Sequence, residues 1–145
     1  MTCIKPPLRP WSLMMFEQQQ ASEARMLRDL LVHVPSERQA RPVIDGAVSL
    51  AIAHKARLQA ASIGYETANI GVPLDGGAAV AAVFEMEHKS AQLRADTALS
   101  AFDTEARNAG VAYSLKAITG AMYDAAAQIG AMARLADLTI LLQPE

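Results

Sequence analysis

Cysteine is almost absent from this 145-residue chain. The single residue, Cys3, excludes an internal disulfide framework and suits a reducing compartment. An excess of charge of one sign is missing too. Lys and Arg total 13 against 15 Asp and Glu, a net charge of -2, which excludes a strongly basic nucleic-acid binder. Aromatic residues make up only 5%, and alanine dominates the apolar fraction, which favours closely packed helices over an aromatic-rich sandwich. No apolar run approaches the roughly 20 residues that span a bilayer. The stretch "WSLMMF" follows a basic start, but it is shorter than the about 7–15 residues of a signal-peptide core, and no small-residue cleavage site follows it. A cytoplasmic protein without a membrane or nucleic-acid partner is therefore expected. Nucleophilic catalysis also lacks its usual sign, because there is no Gly-x-Ser-x-Gly elbow.

What is present is a hydrophobic fraction of 52% in a length that makes one domain with a real core. Residues 1–25 stand apart in character. They carry Pro6, Pro7, Pro10, the run Gln18–Gln20 and the only tryptophan, Trp11, with no sustained period. They read as a mobile arm or as residues upstream of a natural start at Met26. The alternative is an arm whose Trp11, Leu13, Met14, Met15 and Phe16 dock on an exposed apolar surface.

From Met26 onward the punctuation is regular, and residues 26–145 read as one domain. "DLLVHV" (29–34) is a strand buried on both faces. Residues 42–58 follow helical spacing, with Val43, Ala47, Leu50, Ala51, His54 and Leu58 on one stripe and Pro42 in the first turn. A second strand is expected at 59–66, then a loop, "TANIGVPLDGG", over 67–77. A long helix from about 78 to 109 shows a stripe of Phe84, Ala91, Ala95, Ala98, Phe102, Ala106 and Ala109. Gly110 stands where a helix-terminating glycine belongs. "VAYSLKAIT" (111–119) alternates as a half-exposed strand. Met122, Ala125, Ala126, Ile129, Met132, Ala133 and Ala136 form a third helical stripe, and "DLTILLQPE" opens as the last strand. The order β-α-β-α-β-α-β implies a parallel sheet with right-handed crossovers and helices on both faces.

Taken together, "MLRDLLVHVPSERQARPVIDGAVSLAIAHKARLQAASIGYE", the helix ending "AFDTEARNAGVAY", and "ADLTILLQPE" resemble the first four strands and three helices of a universal stress protein domain. That family commonly carries "ADLVVLG" where this chain has "ADLTILLQ". The resemblance covers residues 26–145 and rests on a distributed pattern. It implies a flavodoxin-like, Rossmann-like three-layer α/β sandwich of family strand order 3-2-1-4-5, here without the fifth strand. It also implies a stress-response protein that is commonly dimeric and in some members binds ATP.

The departures from the family pattern bear on function. ATP-binding members place an aspartate after the first strand, where this chain reads Val34-Pro35-Ser36-Glu37. Proline also lacks the backbone donor. The family's G-x2-G-x9-G-[ST] phosphate loop would follow the fourth strand, where Leu142-Gln143-Pro144-Glu145 stand instead. The resemblance puts the family pocket at Pro35, Ser36, Ile63, Gly120 and Gln143, but ATP is not expected as a cofactor. Gly120 opens a helix, where N–H groups hold anions, although a tight strand-to-helix turn needs a glycine equally. Two adjacent glycines in "VPLDGGAAV" without a lysine are a weak phosphate signal. Glu85 and His88 make a single Glu-x-x-His, and a di-iron site needs two. These two residues read as a solvated helix face, and no metal is expected. His33 reads as a strand histidine and His54 as a helix residue. Neither a receiver-type acidic cluster nor the Ser-Gly-Gly-x-Asp-Ser loop of ATP pyrophosphatases is present.

The expectation is a non-catalytic binding or regulatory domain in stress response. The alternative is an ATP-binding switch whose phosphate loop comes from a missing C-terminal half or a partner chain. The strand at 138–142 would keep one open, uncharged apolar edge. That edge predicts a homo-oligomer formed through it, or its coverage by the N-terminal arm.

Overall fold

The computed structural model describes residues 27–66 and 77–143. The arm expected over 1–25, the loop read at 67–76 and residues 144–145 lie outside the described residues. Four strands form one parallel sheet: β1 (Asp29–His33), β2 (Arg57–Tyr65), β3 (Tyr113–Gly120) and β4 (Leu138–Ile140), in the order β3-β2-β1-β4. Three helices connect them: α1 (Arg41–His54), α2 (Gly77–Asn108) and α3 (Met122–Ala133). The architecture is the α/β layering expected, with the family strand order through its first four strands.

The pleat of β1 explains its unbroken apolar run. Leu30, Val32 and Val34 enter the core beneath α1 and α2, whereas Leu31 enters the smaller core beneath α3. With a helical layer on each face and a strand on each side, no position in its centre can be polar. On β2, Leu58 and Ala60 face α1 and α2, whereas Ala61 and Ile63 face α3. The α3 face is only part covered. Arg57, Gln59, Ser114 and Lys116 are exposed, and all share that face by register.

Several boundaries differ from the sequence reading. α1 stops at His54 because Lys55 adopts the left-handed conformation (φ 53), with Lys55 N–H bonding back to Ile52 and Ala56 N–H to Ala51. Leu58 is therefore a buried residue of β2, paired with Leu30, and not the end of a helical stripe. β4 spans three residues rather than five. On α2, burial begins at Ala91 and continues through Ala95, Leu99, Phe102 and Ala106. Phe84, expected on that stripe, is 44% exposed, and among the described side chains of this 32-residue helix none before Ala91 is buried. Met122, assigned to the α3 stripe, is 72% exposed.

Two local devices set the packing. Gly64, near the end of β2, lies directly under α2, and a Cβ there would fall 1.8 Å from the Ala91 carbonyl oxygen. Only a glycine lets helix and strand approach this closely. The second device is Asp137, which precedes β4. Its carboxylate accepts the backbone N–H of Arg28 (2.8 Å) and of Asp29 (3.0 Å), and its own N–H donates to the Asp29 carbonyl (2.8 Å). The aspartate of "ADLTILLQ" is thus the clamp that aligns β4 with β1.

These devices give two expectations. Gly64→Ala should cost about 1–3 kcal/mol, because strand and helix must separate. Gly46→Ala, in α1 with open space around it, should instead gain up to about 1 kcal/mol from helix propensity. Urea denaturation midpoints of the two variants, moving in opposite directions, check both. Asp137→Ala should cost about 1–2 kcal/mol through loss of the two N–H bonds to its carboxylate, and Asp137→Asn should recover part of that. The same titration reads this comparison.

Candidate functional site

In open α/β sheets, ligands bind beyond the carboxyl ends of the strands. At that end lies a cleft of about 500 Å³ lined by His33, Pro35, Ser36, Glu37, Arg38, Tyr65, Met122 and Leu142. His33 and Tyr65 are the last residues of β1 and β2, and Met122 is the first of α3. A larger depression of about 650 Å³ lies at the opposite end, lined by residues such as Arg28, Lys55, Arg57 and Gly110. It sits among the helix C-termini, at the amino ends of the strands, so the fold does not mark it as the ligand end.

Of the residues predicted for the pocket, Pro35 and Ser36 line the cleft. The Ser36 hydroxyl donates to the Ile63 carbonyl oxygen, tying the β1–α1 turn to β2. The Ile63 side chain itself is 4% exposed and packs in the core under α3, so only its backbone takes part. Gly120 closes β3 opposite Tyr65, and its carbonyl accepts the Glu66 N–H at 3.1 Å. Its φ of 150° is one that side-chain-bearing residues rarely adopt, so the turn requires glycine. Gln143 is exposed beside Leu142. Neither Gly120 nor Gln143 lines the cleft.

The sequence did not place Glu37, Arg38, Tyr65, Met122 or Leu142 in the pocket, and His33 read as a strand histidine. The usable signal was positional: His33 and Tyr65 end adjacent parallel strands, where the chain opens on ligand space. His33 is half-buried, and burial lowers its pKa from the ordinary 6.5, favouring the neutral imidazole. The cleft also contains one carboxylate and one guanidinium, from Glu37 and Arg38.

A smaller groove of about 320 Å³ lies on the other side of the same turn, between Pro35, Ser36, Arg38 and Ala40 and the α2 residues Leu93, Arg94, Thr97 and Ala98. Arg94 donates to the Tyr65 carbonyl (2.6 Å) and to Ser90 Oγ (2.9 Å), so α2 caps the end of β2. The Glu85 and His88 pair resolves as helix-surface ion pairing. His88 Nδ1 is 2.6 Å from Glu66 Oε1, and Lys89 is 2.8 Å from Glu85. Among the described residues, no group of three or more metal-ligating side chains converges. Among them, too, no helix is long and apolar enough to cross a membrane.

No family model matches the sequence, and no curated protein matches it. Solved structures do match. A universal stress protein family member from Burkholderia pseudomallei superposes with a TM-score of 0.57 at 20% identity, over 83% of this chain and 84% of that one. The chain has a universal stress protein fold. The universal stress protein UspA from Lactobacillus plantarum gives a TM-score of 0.56 at 18% identity, over 79% and 77% of the two chains. A universal stress protein in complex with cAMP matches at a TM-score of 0.40, too low to bear on this chain's ligand. At these identities the likeness establishes the fold, with its parallel sheet and strand order, and leaves the ligand to the residues at the strand ends.

The lowered pKa of His33 has a consequence for stability. Well above pH 6.5 His33 is neutral in both folded and unfolded chains and adds no pH dependence. As pH falls below 6.5, the unfolded chain takes up a proton there that the folded chain resists, so stability drops. His33→Gln should flatten this slope, as read from urea midpoints between about pH 5 and 8.

Proposed function

We propose that this chain is a non-catalytic binding or regulatory module of the stress-response type, acting in the cytoplasm, with a cleft that does not hold ATP. The observation that carries this reading is the β1–α1 turn. Pro35 has no N–H to offer a phosphate. The Ser36 hydroxyl is already committed to the Ile63 carbonyl, and Glu37 brings a carboxylate to the cleft wall. A triphosphate entering there would meet the Glu37 carboxylate beside the single Arg38 guanidinium, so the cleft wall offers no net positive charge, and Pro35 withholds a backbone donor where a phosphate site presents several. The non-catalytic reading is supported by the same geometry. The Ser36 hydroxyl donates its proton to a carbonyl oxygen rather than to a base, so Ser36 is not held as an activated nucleophile.

A second reading, a nucleotide switch whose phosphate loop is supplied by a missing C-terminal half or a partner chain, is favoured by one feature. The cleft volume of about 500 Å³ falls in the range of small-molecule sites, at the end of the sheet where nucleotides bind in this fold class.

Isothermal titration with ATP and Mg²⁺ separates the two readings. The regulatory reading expects only heats of dilution up to millimolar nucleotide, meaning less than about 4 kcal/mol of binding free energy. A saturable isotherm in the micromolar range would replace it with the nucleotide switch.

A further inference from the structure

Two opposite charges stand side by side on the wall of the cleft. Glu37 and Arg38 follow each other in the β1–α1 turn, both are exposed, and both line the same space of about 500 Å³. Elsewhere on the surface Lys89 pairs with Glu85 and Arg107 with Asp103. Glu37 and Arg38 take part in none of the ion pairs among the described residues, and they do not pair with each other. The rest of the wall carries no charge to match them. Pro35, Tyr65, Met122 and Leu142 make its apolar part, and burial favours the neutral form of His33.

Each class of ligand meets this wall differently. An anion gains Arg38 and meets Glu37, whereas a cation gains Glu37 and meets Arg38. An uncharged ligand leaves both side chains to water. A ligand with one charge of each sign gives both a charge-assisted partner. Spacing narrows the class further. Consecutive Cα atoms lie about 3.8 Å apart, so the two side chains reach into one neighbourhood. An α-amino acid carries its ammonium and its carboxylate on a single carbon, which suits two adjacent partners. The turn that bears them is held in place, because the Ser36 hydroxyl donates to the Ile63 carbonyl oxygen. A partner fixed before binding loses less entropy when the ligand arrives.

We propose that the cleft binds a free α-amino acid with an apolar side chain. Its ammonium pairs with Glu37, its carboxylate pairs with Arg38, and its side chain lies against Tyr65, Met122 and Leu142. An apolar pocket with a few polar groups that fix orientation is the usual form of a small-molecule site. The proposal rests on the cleft being the ligand site of a non-catalytic module, and it adds the chemical class of the ligand.

Isothermal titration of the full-length chain with L-leucine tests it, beside ATP and Mg²⁺ on the same preparation. The expected result is a saturable isotherm with a Kd at or below about 1 mM. Glycine, which lacks the apolar side chain, should bind at least about tenfold more weakly. The leucine analogues 4-methylpentanoate, without the ammonium, and 3-methylbutylamine, without the carboxylate, should each lose at least about fivefold. Glu37→Gln and Arg38→Gln, both at exposed positions, should each weaken L-leucine binding by about fivefold. Glu85→Gln, on the surface of α2, should leave it unchanged. Three outcomes overturn the proposal: no saturable binding of L-leucine, binding that survives both turn substitutions, or an analogue with a single charge that binds as tightly. Micromolar ATP binding without L-leucine binding overturns the non-ATP reading of the cleft as well. A chain that binds neither overturns the amino-acid assignment alone.

Discussion

Burial of β1 on both faces is the constraint from which the rest of the molecule follows. Leu30, Leu31 and Val32 are at most 1% exposed, although successive residues point to opposite sides of the sheet. That requires a helical layer on each face and a strand on each flank. α1 and α2 supply one layer, α3 the other, and β2 and β4 the flanks. Parallel neighbours need long crossovers, and those crossovers are the helices. The carboxyl ends of the strands then gather at one end of the domain, which is why the cleft forms where His33 and Tyr65 finish.

The layering is uneven, and the unevenness is written in polarity. Beneath α3 the buried set is small: Leu31, Ala61, Ile63, Ile118, Ala125 and Met132. Beyond its reach the same face carries Arg57, Gln59, Ser114 and Lys116, which tolerate water. Under α2 the packing is tighter than any side chain allows at Gly64, and small residues on the helix, Ala91, Ala95 and Ala106, are fully buried. Phe102 anchors this layer, meeting Tyr113 edge-on at 6.0 Å between ring centroids. A protein with so few aromatic residues places one of them at the centre and fills the remaining space with alanine and branched aliphatics.

The candidate site was only part legible before the fold was seen. Proline and glutamate in the turn after β1 were legible as they stand, because a missing N–H and an added carboxylate act locally. Ile63 was less legible. Strand register decides which face a side chain takes, and here it sends the isoleucine under α3 while its carbonyl holds Ser36. Tyr65, Arg38 and Leu142 are far apart in sequence, and no spacing signals that they share a wall. Arg94, which caps Tyr65 from the middle of a long helix, was equally invisible, since its role depends on where α2 crosses the sheet.

By itself the amino-acid order determined the order of strands and helices among the described residues, the parallel sheet, and the proline and carboxylate in the turn after β1. Each of these follows from periodicity or from the chemistry of neighbouring residues. Only tertiary structure decided that Leu58 belongs to a strand, that Phe84 stays in solvent, and that the aspartate before the last strand clamps two strand starts together. Those outcomes rest on distances between segments remote along the chain, and a single face of one element carries no record of them.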